Sequence, residues 1–167
     1  TVVATTPAGK VGVDSFCTQI CGHEQTCAAA MDASPEAVAA CMSSCQAANE
    51  MKGANPPTEL FRSDYVAALA ACIAAAGCTV PVATAESDCA SQVVNGTGKS
   101  AALLPTQAAA DLCHTIYSSA CGPDSGAAGC VESVMLYSDT TLETARACFS
   151  GSMCSQVDNC YVAAFAQ

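Results

Sequence analysis

Tryptophan is absent from this chain, and positive charge is scarce. Its 167 residues include five Lys and Arg against fifteen Asp and Glu, so the formal net charge is −10. Nucleic acids and anionic membrane surfaces bind basic proteins, which makes both of them poor partners for this composition. The longest apolar run, residues 65–77, is shorter than the ~20 residues that a membrane-spanning helix needs. We therefore expect no nucleic-acid partner and no membrane span.

Aromatic residues are also few, at 5% of the chain, whereas Ala (35 residues) and Cys (14 residues) are abundant. A chain with few large hydrophobic side chains and many cysteines is typical of exported proteins that disulfides hold together. We therefore predict an extracellular or cell-surface protein from an oxidising compartment, with any signal peptide removed before Thr1. The predicted disulfide cysteines are Cys17, Cys21, Cys27, Cys41, Cys45, Cys72, Cys78, Cys89, Cys113, Cys121, Cys130, Cys148, Cys154 and Cys160.

The first fourteen residues differ in kind from the rest. Residues 1–14 are rich in Thr and Val, contain Pro7 and have no cysteine, which predicts an extended N-terminal arm. From Ser15 onward, Ala-rich segments alternate with helical start and stop signals, and nothing beyond the arm favours a sheet. The predicted fold is mainly α: a disulfide-stapled helical bundle of two similar modules with an extended N-terminal arm.

Local signals also predict where individual helices begin and end. Ser34 followed by Pro35 predicts an N-cap with proline at the first helical position. Residues 58–77 form one Ala-rich segment that ends on a glycine, which predicts a single helix. Thr140 and Glu143 have the spacing of a capping box. The other predicted helices cover residues 15–30, 85–94, 105–121, 130–137 and 154–165.

A weak internal repeat supports the division into two modules. In both copies a four-residue segment ending in Ser-Asp precedes two cysteines separated by five residues. The copies are residues 61–64 with Cys72 and Cys78, and residues 136–139 with Cys148 and Cys154. A boundary after Cys78 gives residues 15–78 and 79–167, each with seven cysteines. Because seven is odd, at least one disulfide must join the halves if all cysteines pair, and we expect modules fused into one body.

Four cysteines form a twin CX3C pattern. Cys17 and Cys21 are separated by three residues, and so are Cys41 and Cys45. Residues four apart lie on one face of a helix, so two antiparallel helices would place Cys17 opposite Cys45 and Cys21 opposite Cys41. The pattern resembles the helical hairpin of small mitochondrial intermembrane-space proteins. That resemblance implies two disulfides between the facing pairs.

The same pattern has an alternative interpretation. It also resembles bacterial copper-storage proteins, in which thiolates in a helical bundle hold copper(I). The ligands in that alternative would be Cys17, Cys21, Cys41 and Cys45. The shorter cysteine gaps elsewhere do not keep thiols on one helical face, which favours disulfides. Zinc is not expected, because the chain has no CxxC pair and because His23 and His114 are isolated. We expect both histidines to be surface or boundary residues and not ligands. We predict no cofactor.

Catalytic motifs are incomplete throughout the chain. Residues 97–100 (TGKS) lack the upstream glycine of a phosphate loop, since Val93 occupies that position. No GxSxG nucleophile elbow occurs, and the closest two carboxylates, Glu86 and Asp88, would not share a helix face. We therefore expect no enzymatic activity. Asn95 begins an Asn-Gly-Thr sequon, which predicts either glycosylation or a plain turn.

The chain resembles the Cys-rich exported proteins of myxobacteria and their relatives. The residues that carry the resemblance are Phe16-Cys17-x-x-x-Cys21, RSDYVAALAACIAAAGC, and YSDTTLETARACFSGSMC with Cys160. Such proteins are often associated with the cell surface. The resemblance therefore implies an exported compartment and a helical architecture, and it implies no particular chemistry.

Taken together, these patterns predict a non-enzymatic structural or assembly protein outside the cytoplasm. A Thr- and Val-rich arm is suited to adding a strand to a neighbouring subunit, so we expect a homo-oligomer or polymer formed through residues 1–14, such as a filament or surface layer. Two alternatives stay open. The arm packs against its own chain, or the helical bundle carries a small apolar ligand in a cavity.

The disulfide and copper hypotheses differ in the number of free thiols. We expect thiol titration of the purified chain in denaturant to find close to none before reduction and fourteen after it. Several free thiols per chain before reduction, together with copper by elemental analysis, would instead support the copper hypothesis.

Overall fold

The computed structural model describes residues 4–28, 34–50, 57–97, 103–118, 128–151 and 157–165. Over these ranges the backbone is mainly helical. Its β-structure there consists of two isolated antiparallel bridges, without an extended strand. The helices are α1 (Gly9–Ala28), α2 (Pro35–Glu50), α3 (Pro57–Leu60), α4 (Ser63–Ala74), α5 (Val82–Asn95), α6 (Gln107–Ser118), α7 (Ala128–Val134), α8 (Asp139–Gly151) and α9 (Val157–Phe165). The prediction of a mainly α, disulfide-stapled fold is confirmed.

Helix α1 begins at Gly9, so the extended arm predicted over residues 1–14 is wrong for its second half. Val13, Cys17 and Cys21 are four residues apart and all buried. Burial of this helical stripe outweighs the β preference of the Val and Thr residues that predicted the arm. Residues 4–8 remain non-helical, and we call them the short arm. Gly9, with φ of 65°, separates the short arm from the helix.

Two predicted helix starts are confirmed by side-chain caps. Before α2, Ala37 N–H donates a hydrogen bond to Ser34 Oγ at 3.2 Å. Before α6, Ala109 N–H donates to Thr106 Oγ1 at 3.1 Å. Both caps join residues three apart, and contacts of that range are encoded in the local sequence.

The single helix predicted over residues 58–77 is wrong. The structure has two helices, α3 and α4, separated by Phe61 and Arg62, and α4 ends before the predicted terminal glycine. Phe61 O accepts a hydrogen bond from Ala8 N–H (2.8 Å), and Arg62 N–H donates to Leu136 O (3.1 Å). Because these backbone groups bond to distant segments, they are withdrawn from a helical hydrogen-bond ladder and the helix is interrupted.

The capping box predicted at Thr140 and Glu143 is also wrong. Helix α8 begins directly after Ser138, whose Oγ accepts a hydrogen bond from Thr141 N–H at 3.4 Å. Ser138 is fully buried, and its N–H donates to Leu60 O at 3.0 Å. This long-range backbone contact places the helix start two residues before the local motif.

The buried side chains form two clusters. The first lies mainly on α4 and α5, and its members are Tyr65, Val66, Leu69, Ile73, Cys89, Val93, Leu103 and Met135. The second joins α6, α7, α8 and α9, and its members are Ala109, Leu112, Cys113, Val134, Leu142, Ala145, Phe149, Cys160, Ala164 and Phe165. Half of the first cluster comes from the second predicted module, residues 79–167, and these members are Cys89, Val93, Leu103 and Met135. Helix α1 packs on α4, and α6 packs on α8.

None of the helices in the described part of the chain is long and apolar enough to cross a membrane.

The cap of α8 can be tested with a pair of substitutions. Ser138→Ala removes the capping oxygen and a hydroxyl that donates to Glu59 O at 3.1 Å, so we expect the free energy of unfolding to fall by about 1–2 kcal/mol. The matched control Thr140→Ala alters the exposed side chain of the predicted capping box and should change stability by less than ~0.5 kcal/mol. Urea denaturation without reductant measures both. A larger loss of stability for Thr140→Ala than for Ser138→Ala would instead support the capping box predicted at Thr140 and Glu143.

Candidate functional site

The two copies of the repeat pair with each other. Phe61 lies opposite Tyr137 in an antiparallel bridge. The hydrogen bonds on either side of it are Arg62 N–H to Leu136 O and Ser138 N–H to Leu60 O. Their rings stack, with centroids 5.5 Å apart and an angle of 12° between the ring planes. We call residues 60–63 and 136–139, together with the short arm, the junction.

The short arm is the third segment of the junction. Pro7 pairs with Arg62 in the second antiparallel bridge, and Ser63 N–H donates to the carbonyl that precedes Pro7 at 3.0 Å. Both the backbone N–H and the hydroxyl of Thr5 donate to the Asp139 carboxylate, at 2.9 and 3.1 Å. The short arm therefore packs against its own chain, through two main-chain hydrogen bonds and two hydrogen bonds to the Asp139 carboxylate.

Arg62 lies fully buried at the centre of the junction. Its Nε and Nη2 donate to the two carboxylate oxygens of Asp64, at 2.6 and 2.7 Å. Its Nη1 donates to the carbonyls of Leu104 (2.9 Å) and Met135 (2.8 Å). A buried charge is stable only when it is paired and its donors are satisfied, and Arg62 meets both conditions. One side chain thus joins α4 to two segments of the second half.

Arg62 was not singled out by sequence reasoning. The residue at the same repeat position in the second copy is Tyr137, so the repeat itself carries no signal for a buried cation. The sequence feature that could have indicated a paired Arg62 is Asp64, a carboxylate two residues further along the same segment. Its ability to form a bidentate pair depends on the break between α3 and α4, which the sequence did not predict.

Aromatic rings continue from the junction into both clusters. Phe61 packs on Tyr65 (5.7 Å between centroids), and Tyr137 packs on Phe165 (4.6 Å). Burial raises the pKa of the Tyr65 phenol, and the charges of Glu86 and Tyr137 raise it further. Tyr65 is therefore a neutral, packed phenol at physiological pH.

Twelve cysteines of the described residues form six disulfides. Cys17–Cys45 and Cys21–Cys41 join α1 to α2, which confirms the pairing implied by the twin CX3C pattern. The others are Cys27–Cys78, Cys72–Cys89, Cys113–Cys130 and Cys148–Cys160. Cys72–Cys89 crosses the predicted boundary after residue 78, so a disulfide does join the two halves. Cys121 and Cys154 lie outside the described residues.

The copper alternative does not fit this oxidised structure. Its four proposed ligands are bonded to one another in two disulfides, and a disulfide sulfur offers no thiolate to copper(I). Within the described ranges, no group of three or more His, Cys, Asp or Glu residues is arranged to hold a metal ion.

The two histidines have different surroundings. His114 is exposed on α6, as expected. His23 was expected at the surface or at the boundary of the core, but the residue is buried, with only 8% of its surface exposed. Its Nε2 lies 3.5 Å from Cys27 Sγ, one helical turn further along α1.

The remaining predicted sites stay separate. Asn95 is exposed at the end of α5, and its Nδ2 donates to Ser91 O at 2.9 Å, while glycosylation stays a prediction. Glu86 and Asp88 are exposed on the same helix. Most of the TGKS segment lies outside the described residues.

A small cleft lies beside the junction between α3, α8 and α9. Its volume is about 110 Å³, and its lining residues are Glu59, Leu60, Thr140, Thr141, Thr144, Ala163 and Ala164. Ligand pockets in proteins usually have volumes of ~300 Å³ or more, so this cleft is too small to support the ligand-carrier alternative.

Comparisons with protein-family models, curated proteins and solved structures find no match for this chain. The resemblances to exported myxobacterial proteins and to twin CX3C proteins therefore rest on the sequence patterns alone.

The structural role of Arg62 can be measured against a matched surface pair. Arg62→Met leaves two carbonyls without their donor and removes the bidentate partner of Asp64, whose side chain is about half exposed and keeps a hydrogen bond from Tyr65 N–H. We therefore expect the free energy of unfolding to fall by about 1.5–3 kcal/mol. Arg146 forms a 3.1 Å pair with Asp111 in which both side chains are more than one-third exposed. Arg146→Met should therefore cost less than ~1 kcal/mol. Similar losses in the two variants by urea denaturation would contradict the role assigned to Arg62.

Proposed function

We propose that this protein is a non-enzymatic, exported structural subunit that associates with copies of itself, as in a filament or surface layer. The six intramolecular disulfides of the described residues indicate an oxidising compartment. The observation that carries the proposal is the main-chain docking of the short arm in the junction. Main-chain hydrogen bonds are the means by which proteins add a strand from a neighbouring chain.

The disulfide framework suits a structural subunit. The described bridges close loops of 12 to 51 residues in sequence separation. In the chain-entropy description, each such loop contributes about 3–4 kcal/mol by restricting the unfolded state. Covalent cross-links therefore supply the stability that a core with few aromatic residues does not, which favours a durable unit in a harsh environment.

The segment available for exchange between copies is defined by the cross-links. Cys17, Cys21 and Cys27 fasten α1 to α2 and to Cys78, so α1 cannot leave its own chain while these disulfides are intact. The residues before Gly9 have no such fastening among the described residues. In our proposal the short arm of one copy occupies the junction of the next copy and forms the same hydrogen bonds there.

Two assemblies follow from such an exchange. A reciprocal exchange between two copies gives a closed dimer, whereas an exchange passed from copy to copy gives an open polymer. Asp139 and the backbone of residues 61–63 would receive the arm in both cases.

The test is to delete residues 1–8 and examine assembly by electron microscopy and by size-exclusion chromatography with light scattering. We expect polymers or dimers for the native chain and folded monomers for the deletion variant. Val11→Thr is the control: Val11 is an apolar side chain 84% exposed on α1, and its replacement should leave assembly unchanged.

A second variant changes assembly in the opposite direction. Gly9 has φ of 65° with open space where a Cβ would be, so Gly9→Ala strains the docked conformation by about 1–2 kcal/mol through its backbone alone. Exchange that straightens the chain at residue 9 relieves this strain, and the assembled fraction should rise. A native chain that stays monomeric at every concentration, or assembly that survives the deletion, would refute the proposal.

A further inference from the structure

Among the six disulfides of the described residues, one differs from the other five in its exposure to solvent. In each of those five, one cysteine is at most 3% exposed; these buried cysteines are Cys17, Cys21, Cys89, Cys113 and Cys160. In the sixth, Cys78 is exposed in the turn between α4 and α5, and Cys27 is partly exposed near the end of α1. Thiol–disulfide exchange requires access to a sulfur atom, so exposure distinguishes this bond chemically.

The same disulfide has a histidine beside it. His23 lies one turn before Cys27 on α1, with Nε2 at 3.5 Å and Nδ1 at 3.9 Å from Cys27 Sγ. A neighbouring imidazole that donates a hydrogen bond or carries a proton stabilises a cysteine thiolate and thus improves it as a leaving group. Cys78 is therefore the exposed end of this disulfide, and Cys27, at the other end, is the leaving group beside His23.

We propose that Cys27–Cys78 is a site of thiol–disulfide exchange with an external thiol, either a low-molecular-weight thiol or a dithiol oxidoreductase. The external thiolate attacks Cys78 Sγ and forms a mixed disulfide with it. The Cys27–Cys78 bond breaks, and Cys27 leaves with the electron pair as a thiolate that is stabilised by the His23 N–H.

A dithiol completes the reaction. Its second thiolate attacks the mixed disulfide, releases Cys78 as a thiolate that takes a proton from water, and leaves the dithiol oxidised to a disulfide. Two electrons pass from the dithiol to the protein, whose Cys27 and Cys78 become thiols. With a monothiol, the product is the mixed disulfide at Cys78, and the protein gains a covalent attachment point.

The consequence for the fold is local. Reduction frees the C-terminal end of α1 from the turn after α4. Helix α1 stays fastened to α2 by Cys17–Cys45 and Cys21–Cys41, and it still packs along α4. The remaining structure therefore keeps its cross-links while this one end changes state.

The test uses dithiothreitol as the reductant, alkylation of freed thiols at timed intervals, and peptide mapping by mass spectrometry. We expect Cys27 and Cys78 to be alkylated about tenfold or more faster than any of the other five described pairs, because accessible sulfurs exchange faster. Earlier alkylation of one of those five pairs, or equal rates for all six, would overturn the proposal.

The role of His23 has its own readout. His23→Gln should slow reduction of Cys27–Cys78 several-fold and leave the rate for Cys72–Cys89 unchanged. A merely loosened structure would speed reduction, so the sign of the change separates the two effects. Gln25→Ala, on the exposed side of the same turn, is the matched control and should change neither rate. An unchanged or faster rate for Cys27–Cys78 in His23→Gln would overturn the assignment of His23.

Discussion

The buried guanidinium of Arg62 holds together segments that are distant in the sequence. It pairs with Asp64 in the first turn of α4 and donates to carbonyls at residues 104 and 135, 42 and 73 positions away. Its backbone also pairs with Leu136 and lies opposite Pro7. If Arg62 were removed, the two copies of the repeat and the short arm would lose their common anchor, since all three meet at this residue.

The disulfides perform a different task from the junction. Most of them join helices that are close in sequence, such as Cys113–Cys130 and Cys148–Cys160, and so they fix local helix pairs. The junction arranges those pairs relative to one another by hydrogen bonds and one ion pair. This division explains how a chain with 5% aromatic residues still forms two buried clusters.

Helix α1 connects the two features on which our proposals rest. Its middle is fastened to α2 by two disulfides, in each of which the α1 cysteine is buried. Its N-terminal end leads through Gly9 to the short arm, which is held by hydrogen bonds alone. Its C-terminal end carries Cys27, bonded to the exposed Cys78. The parts that our proposals treat as exchangeable thus lie at the ends of a helix whose centre is fixed by two disulfides.

The sequence alone determined the helical class, the cap at Ser34, the start of α6 near Pro105 and Thr106, and the pairing of the twin CX3C cysteines. These features depend on contacts between residues a few positions apart or on helical periodicity, and both can be recognised within a short stretch of sequence. Tertiary structure alone decided the start of α1, the break at residues 61–62, the cap at Ser138 and the buried state of Arg62. Each of these depends on backbone hydrogen bonds or burial between segments far apart in the chain, and such contacts outweigh local propensity because they satisfy groups that would otherwise be buried without partners.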